Sequence, residues 1–253
     1  DIYVAGYERN SSGINVAKYW KNGVATTLSN GIRHAEGWGI YVSGTDVYVV
    51  GYESPNLPVA TLWKNGVATH LTTSIQSSYA EAIYGSGSDV YIAGEVLPVV
   101  KVWHNGTETN FTDGTQPAEA RSLFVAGTDV YVAGEENNAG GISVAKVWRN
   151  GVATSLTDGT INCEAFSVFV SGADVYVTGG QLLNLVKLWH NGIPTNITSG
   201  TTNAWAGSVY VYGTDVYIAG YENNTAKLWR NGIATDLTDG TRQAAAYSVV
   251  VTQ

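Results

Sequence analysis

An internal repeat constrains the fold of this chain more than any other feature. The motif Asp-[Val/Ile]-Tyr-[Val/Ile]-x-Gly occurs six times, and each copy is followed by a Trp, one basic or His residue and Asn-Gly. A repeat of this length indicates a series of similar supersecondary units. The copies divide the chain into the repeats 1-45, 46-88, 89-128, 129-173, 174-214 and 215-253.

Each repeat predicts four short strands. Asn-Gly between two apolar runs is a strong hairpin signal, because a type I′ turn needs a positive φ at both central residues. In the first repeat the runs 16–20 and 24–28 flank such a turn, the Asp-Ile-Tyr-Val run precedes them, and the run 40–43 leads into the next repeat. We label these strands A (the 40–43 type), B (the Asp-Val-Tyr type), C and D. Four antiparallel strands with period-two patterning are typical of a β-propeller blade.

The ends of the chain fall inside a repeat unit. The sequence starts at a strand B and stops at a strand A, residues 247–252. We therefore predict an all-β fold, a six-bladed β-propeller with four antiparallel strands per blade, closed by the C-terminal strand that completes the first blade. Closure would remove exposed sheet edges. Residues 1-253 would then form a single domain, with the six Trp residues buried between blades.

Composition and charge exclude several classes of partner. The net charge is -8 and the cations are scattered singly, so no basic stripe is present for nucleic acid. No apolar stretch approaches the roughly 20 residues of a membrane-spanning helix. Cys163 is the only cysteine, and the absence of methionine predicts a processed product or a piece of a longer chain. We expect a monomer.

One face of the predicted propeller carries most of the sequence variation. The B-to-C and D-to-A loops share that face, and the residues near the start of strand A surround the mouth of the channel. Aromatic and carboxylate side chains around a concave mouth suit a sugar or another polar ligand. The alternative is that these residues pack against loops and stay solvated. The positions hold Glu36, Trp38, Tyr79, Glu119, Arg121, Glu164 and Trp205, and the set is extended by Tyr7, Tyr52 and Tyr221 at the ends of strand B.

Two further sets of acidic residues have alternative interpretations. Glu36, Glu119 and Glu164 form a weak candidate site for Ca²⁺, which prefers oxygen ligands; no other cofactor is expected. A second set at the end of strand B is predicted to form ion pairs with the lysines of strand C. That set is Glu8, Glu53, Glu95, Glu135 and Glu222.

Catalytic motifs are absent from the sequence. It has no Gly-x-Ser-x-Gly and no metal-ligand spacing, although paired glutamates would suffice for glycoside chemistry. The leading hypothesis is a non-catalytic recognition module that binds a glycan, a small polar ligand or a protein on the variable face. The alternatives are a glycan-acting enzyme that uses the channel-mouth glutamates, and a repeat scaffold, natural or engineered, without a native ligand.

The repeated motifs resemble those of one group of proteins. With Asp-Val-Tyr-Ile-Ala-Gly-Tyr-Glu at 215–222, Val-Ala-Lys-Val-Trp at 144–148 and Leu-Thr-Asp-Gly-Thr at 156–160, the whole chain resembles uncharacterised bacterial β-propeller repeat proteins. Many of these are thought to be exported, so the resemblance implies an extracytoplasmic or secreted location. It transfers no catalytic residue to this chain. The Gly-His and Trp-Asp pairs of WD40 repeats are missing.

Overall fold

The computed structural model describes residues 1–73, 75–181 and 185–252, and the regular structure in these ranges is entirely β-strand. Six antiparallel sheets follow one another along the chain, which confirms the all-β prediction and the A-B-C-D order of strands. The described residues form no helix, and hence none that is long and apolar enough to cross a membrane. The chain divides into two compact units, Asp1–Leu123 and Phe124–Gln253.

The first unit contains three complete sheets. The first sheet has three strands, β1 (Tyr3–Arg9), β2 (Asn15–Lys21) and β3 (Val24–Thr27). The second has four strands, β4 (Ala35–Ser43), β5 (Asp46–Glu53), β6 (Val59–Lys64) and β7 (Val67–His70). The third consists of β8 (Ser78–Ser86), β9 (Asp89–Val96), β10 (Val99–His104) and β11 (Thr107–Asn110).

The division between the units falls within β12 (Ala118–Ala126), the first strand of the fourth sheet. That sheet continues with β13 (Asp129–Asn137), β14 (Ser143–Arg149) and β15 (Val152–Ser155). The fifth sheet consists of β16 (Cys163–Ser171), β17 (Asp174–Gln181), β18 (Leu185–His190) and β19 (Ile193–Asn196). The sixth consists of β20 (Ala204–Tyr212), β21 (Asp215–Glu222), β22 (Thr225–Arg230) and β23 (Ile233–Asp236).

The Asn-Gly pairs form the predicted hairpin turns, and they explain the repeated Asp of strand B. All six Asn residues have φ between 49° and 52°. Each Asn side chain donates its Nδ2 hydrogen to the carboxylate of the Asp that begins strand B, at 2.6 to 3.0 Å. Its Oδ1 accepts the backbone N–H of the residue after that Asp. The repeated Asp therefore links the start of strand B to the turn between strands C and D of the same repeat, which is a structural role.

Four of the strand C tryptophans pack between their own sheet and the preceding one, as predicted. Trp63 and Trp103 do so in the first unit, and Trp189 and Trp229 in the second, each no more than 1% exposed. Trp20, in the first sheet, is only half-buried. Within each unit, one large ring per repeat therefore makes the main packing contact between neighbouring sheets.

A β-bulge near the start of strand A corrects the predicted strand boundaries. Strand A runs over nine residues from Ala35, whereas the sequence pattern predicted a start at Ile40. The register shifts between Gly37 and Gly39, and likewise in the sheets of β8, β16 and β20, because one extra residue interrupts the period-two pattern. The bulge brings the Glu36 carbonyl within 1.9 Å of where a Cβ of Gly51 would lie, which explains the Gly of the repeated motif.

The C-terminal residues 243–252 have no assigned strand in the described chain. Within the second unit they follow β20 and β21, where the Ala246 amide donates to the Gly220 carbonyl at 3.1 Å. The Val249 amide donates to Ser208 Oγ at 3.4 Å, and the Val209 amide donates to Ser167 Oγ in the same way. The C-terminal segment therefore occupies, next to β20, the position that β20 occupies next to β16.

Candidate functional site

The bulge determines where the predicted site residues lie. The sequence pattern placed them just before strand A, but the structure places them inside it, at the second residue of the strand and at the extra residue of the bulge. Position two of strand A holds Glu36, Tyr79, Glu119, Glu164 and Trp205, and position four holds Trp38, Glu81, Arg121, Phe166 and Gly207. Strand B supplies a neighbour to position two, because Glu36 pairs with Tyr52 and Tyr79 with Glu95.

Three aromatic rings meet in the first unit and form what we call the Trp38 platform, made of Trp38, Tyr52 and Tyr79. The centroid of the Trp38 ring lies 5.1 Å from that of Tyr52 and 5.8 Å from that of Tyr79, with which it is nearly parallel at 21°. Tyr52 and Tyr79 meet edge to face at 5.6 Å. Trp38 is the exposed member, with 38% of its surface accessible. The platform therefore presents a flat aromatic face that its neighbours support from below and the side.

The Glu36 carboxylate is held at the edge of the Trp38 platform by three donors. Trp38 Nε1 donates to Oε2 at 3.0 Å, while Tyr52 Oη and Asn15 Nδ2 donate to Oε1 at 3.1 and 2.7 Å. Burial, reinforced by the Glu36 charge, raises the pKa of Tyr52 to about 12. Tyr7, half exposed on β1, is near enough to contribute to the same shift. Glu36, Trp38, Tyr52 and Tyr7 therefore lie close together in the first unit.

An acidic cluster adjoins the platform at Tyr79, and we define it as Glu81, Glu95 and Glu119 with Arg121. The pKa of Tyr79 is raised first by burial and then by these three carboxyl groups. Arg121 binds Glu119, with 2.7 Å between Nη2 and Oε2. The amide of Ala120 donates to Glu95 Oε2 at 3.4 Å.

Two members of the acidic cluster are driven towards the protonated form. Glu95 is only 2% exposed, and burial raises its pKa to about 9, with Glu81 and Glu119 adding to the effect. Burial raises the pKa of Glu81 to about 7, an effect that Arg121 opposes and Glu119 strengthens. Carboxyl groups with raised pKa values beside an exposed aromatic face make this region the candidate ligand site of the first unit.

Glu95 also corrects the predicted ion pairs. Glu8 and Glu222 do bind the strand C lysines Lys18 and Lys227. Lys101 binds Glu108, where Glu95 was the predicted partner. Lys146 likewise binds Glu136, where Glu135 was the predicted partner. Glu95 and Glu135 are one residue closer to the motif Gly than Glu8 is, so alternation along the strand turns them to the opposite side of the sheet.

The second unit carries aromatic rings at the equivalent positions, which we call the Trp205 cluster: Phe166, Trp205, Tyr221 and Tyr247. The Trp205 ring stacks near that of Tyr221 at 6.2 Å and 27°, and contacts Phe166 at 5.6 Å and Tyr247 at 5.5 Å. Glu164 is half-buried on β16, where Gly180 is its partner in strand B. The Trp205 cluster thus combines four aromatic side chains from neighbouring strands of the second unit.

The calcium hypothesis gains no support from the described residues. Over residues 1–73, 75–181 and 185–252, no three His, Cys, Asp or Glu side chains are grouped in a way that would hold a metal ion. Glu36 is engaged by its three donors, and Glu119 by Arg121. His104 and His190, which directly precede the Asn-Gly turns, bind the strand B aspartates Asp89 and Asp174.

Comparison with known proteins does not assign this site. A scan against protein-family models finds no match, and a search of curated proteins finds no similar sequence.

Proposed function

We propose that residues 1-253 form one six-bladed β-propeller, each sheet being a blade, closed by the C-terminal segment as the innermost strand of the first blade. The first sheet has three strands where each of the others has four. In the first unit, Trp20 is half-buried and Val4 is 52% exposed, whereas the other strand C tryptophans are covered. In the second unit, Tyr247 and Val250 are 73% and 69% exposed. A closing strand would cover all four side chains.

The repeat predicts the register of this closure. Ile40 pairs with Val49, and Ile83 with Ile92, so the equivalent pair is Val249 with Val4. We expect Val4→Cys and Val249→Cys to form an intramolecular disulfide in a Cys163→Ser background. Val24→Cys with Val249→Cys is the matched control, since Val24 lies in the outermost strand β3. Cross-linking only between chains, or equal cross-linking in the control, would exclude this closure.

We propose further that the protein is a non-catalytic recognition module that binds carbohydrate on the Trp38 platform. The observation that carries the proposal is the exposed ring of Trp38, backed by the nearly parallel ring of Tyr79, beside a carboxylate with fixed orientation. Aromatic faces bind the apolar face of a sugar ring, while a few well-placed polar groups bind its hydroxyls. Glu36 Oε2, which accepts one hydrogen bond from Trp38, is an acceptor of that kind, and the half-exposed Tyr7 offers a hydroxyl group nearby.

The carbohydrate proposal is tested with a glycan array followed by calorimetry on the ligands retained. We expect Trp38→Ala to reduce affinity by about tenfold or more, because loss of stacking removes on the order of 1.4 kcal/mol. Trp38→Phe keeps a ring and should retain part of the binding. An array without any ligand, or full affinity in Trp38→Ala, would refute the proposal.

A glycan-acting enzyme is the second candidate, and one specific observation favours it. Glu81 has a pKa of about 7 and lies near Glu119, which is paired with Arg121. A carboxylic acid that keeps its proton near neutral pH beside a carboxylate is the arrangement used in glycoside hydrolysis. The enzyme hypothesis predicts release of reducing ends from a bound oligosaccharide, abolished by Glu81→Gln or Glu119→Gln. Binding without turnover over many hours would leave the recognition module.

A further inference from the structure

The charge around the Trp38 platform is strongly unbalanced. In the first unit the platform and the acidic cluster contain Glu36, Glu81, Glu95 and Glu119, and their one guanidinium, Arg121, is bound to Glu119. The strand C and turn lysines of the same unit have carboxylate partners of their own, at Glu8, Asp1, Asp46 and Glu108. These lysines are therefore paired away from the platform, whereas Arg9 lies near it, because its Nε donates to the Asn15 side chain that also donates to Glu36.

The most deeply buried of these carboxyl groups has little stabilisation from the residues around it. Glu95 is only 2% exposed, and the Ala120 amide donates a long hydrogen bond of 3.4 Å to its Oε2. Ionising a buried carboxyl costs free energy unless a cation or several donors are close. A positive group placed beside Tyr79 would lower that cost for Glu81 and Glu95 together.

The aromatic platform independently favours a positive ligand. The faces of Trp and Tyr rings attract cations, with Trp the strongest, and the attraction grows where water is excluded. Trp38 and Tyr79 present such faces, and Tyr79 feels the fields of all three acidic-cluster carboxyl groups. The ring faces and the carboxyl groups therefore both favour a positively charged ligand, for different physical reasons.

We infer that the carbohydrate bound on the Trp38 platform carries a protonated amine, as an amino sugar does, with its ammonium directed towards Glu81 and Glu95. This inference rests on the proposed carbohydrate site and specifies its ligand. A neutral sugar would stack on Trp38 but would offer no positive charge to Glu81 and Glu95. A sugar acid would meet repulsion from the Glu36 carboxylate at the edge of the platform.

The experiment compares two forms of one ligand, a glucosamine trisaccharide with free amines and its N-acetylated form, by calorimetry at a pH where the amines are protonated. We expect the free-amine form to bind at least about tenfold more tightly to the unaltered protein. Glu81→Gln should remove most of that preference, and Glu81→Asp, which keeps a carboxyl group able to ionise beside the ammonium, should retain it. Glu108→Gln is the matched control, because Glu108 lies on the exposed strand β11, where it binds Lys101 of β10.

The outcomes separate this inference from the proposal beneath it. Equal affinity for both forms, with loss of both in Trp38→Ala, would overturn the amine inference and leave the carbohydrate site intact. Binding of neither form, together with an empty glycan array, would overturn the carbohydrate site. A preference that persists in a folded Glu81→Gln, judged by an unchanged melting temperature, would also contradict the role assigned to Glu81.

Discussion

The Trp38 platform and the Trp205 cluster occupy the same repeat positions in the two units, yet their chemistry differs. In the first unit aromatic and acidic residues alternate from one repeat to the next, so that Tyr52 meets Glu36 and Tyr79 meets Glu95 across paired strands. In the second unit Glu164 faces Gly180, and the pair that follows is Trp205 with Tyr221. One scaffold therefore supports either an acidic aromatic site or a mainly apolar aromatic cluster.

The residue at the bulge explains much of this difference. In the first unit the bulge carries Trp38 and Glu81, whose side chains join the platform and the acidic cluster. In the second unit the equivalent Gly207 leaves space, and a Cβ there would lie 2.5 Å from the Trp205 ring. The bulge residue thus decides whether a repeat adds a polar side chain or lets a neighbouring ring lie over the strand.

The largest expected effect tests whether the two units really share one scaffold. Trp103→Ala in the first unit and Trp229→Ala in the second should each cost about 3–5 kcal/mol, since both rings are fully buried. Chemical denaturation measures the free energy of unfolding. A cost in one unit several times that in the other would show that the comparison is between different scaffolds.

The next effect concerns the acidic cluster. The pKa of Glu95 is about 9 in the folded protein against 4.5 ordinarily, so the folded state retains a proton that the unfolded chain loses. The contribution of Glu95 to stability is complete below about pH 4.5 and is lost as the pH rises towards 9. Glu95→Gln should therefore raise stability at pH 9 by on the order of 2 kcal/mol and change it little at pH 5.

Melting temperatures between pH 5 and pH 9 measure this effect, with Glu108→Gln as the control for a surface carboxylate. If Glu95→Gln and the unaltered protein show parallel pH profiles, Glu95 is not held in its protonated form. The acidic cluster of the first unit would then lack a protonated carboxyl group at Glu95.

The smallest effect is expected in the second unit. Gly207→Ala should displace the Trp205 ring, because the new Cβ would also lie 2.6 Å from the Tyr247 carbonyl, at a cost of about 1 kcal/mol. Tryptophan fluorescence and the melting temperature report the change. Carbohydrate affinity should stay the same, and its loss would mean that the ligand site includes the Trp205 cluster.

Much of the fold could be predicted from the repeat itself. The Asn-Gly turns, the four-strand order and the buried tryptophans such as Trp148 follow from local chemistry and patterning, and the structure confirms them. The bulge could not be predicted, because an extra residue interrupts the alternation by which strands are recognised. Its only sequence signal was the repeated Gly of strand B, which the close approach of the Glu36 carbonyl explains.

The candidate site could be predicted in part. Glu36, Trp38, Tyr52 and Tyr79 were found because aromatic and acidic residues recur at one position in the repeat. Glu95 was assigned to an ion pair. It directly follows Gly94, as Tyr52 follows Gly51, so its side chain lies on the side of the sheet that Tyr52 occupies and not on that of Glu53. Its burial depends on side chains of β8 and β12, which lie far from it in the sequence and could not be placed from a single repeat.

A crystal structure with the glucosamine trisaccharide tests the central claim most directly. The account predicts density for a sugar ring stacked on Trp38, with its amine directed towards Glu81 and Glu95. Density over the Trp205 cluster instead, or an empty Trp38 platform at a saturating ligand concentration, would contradict it.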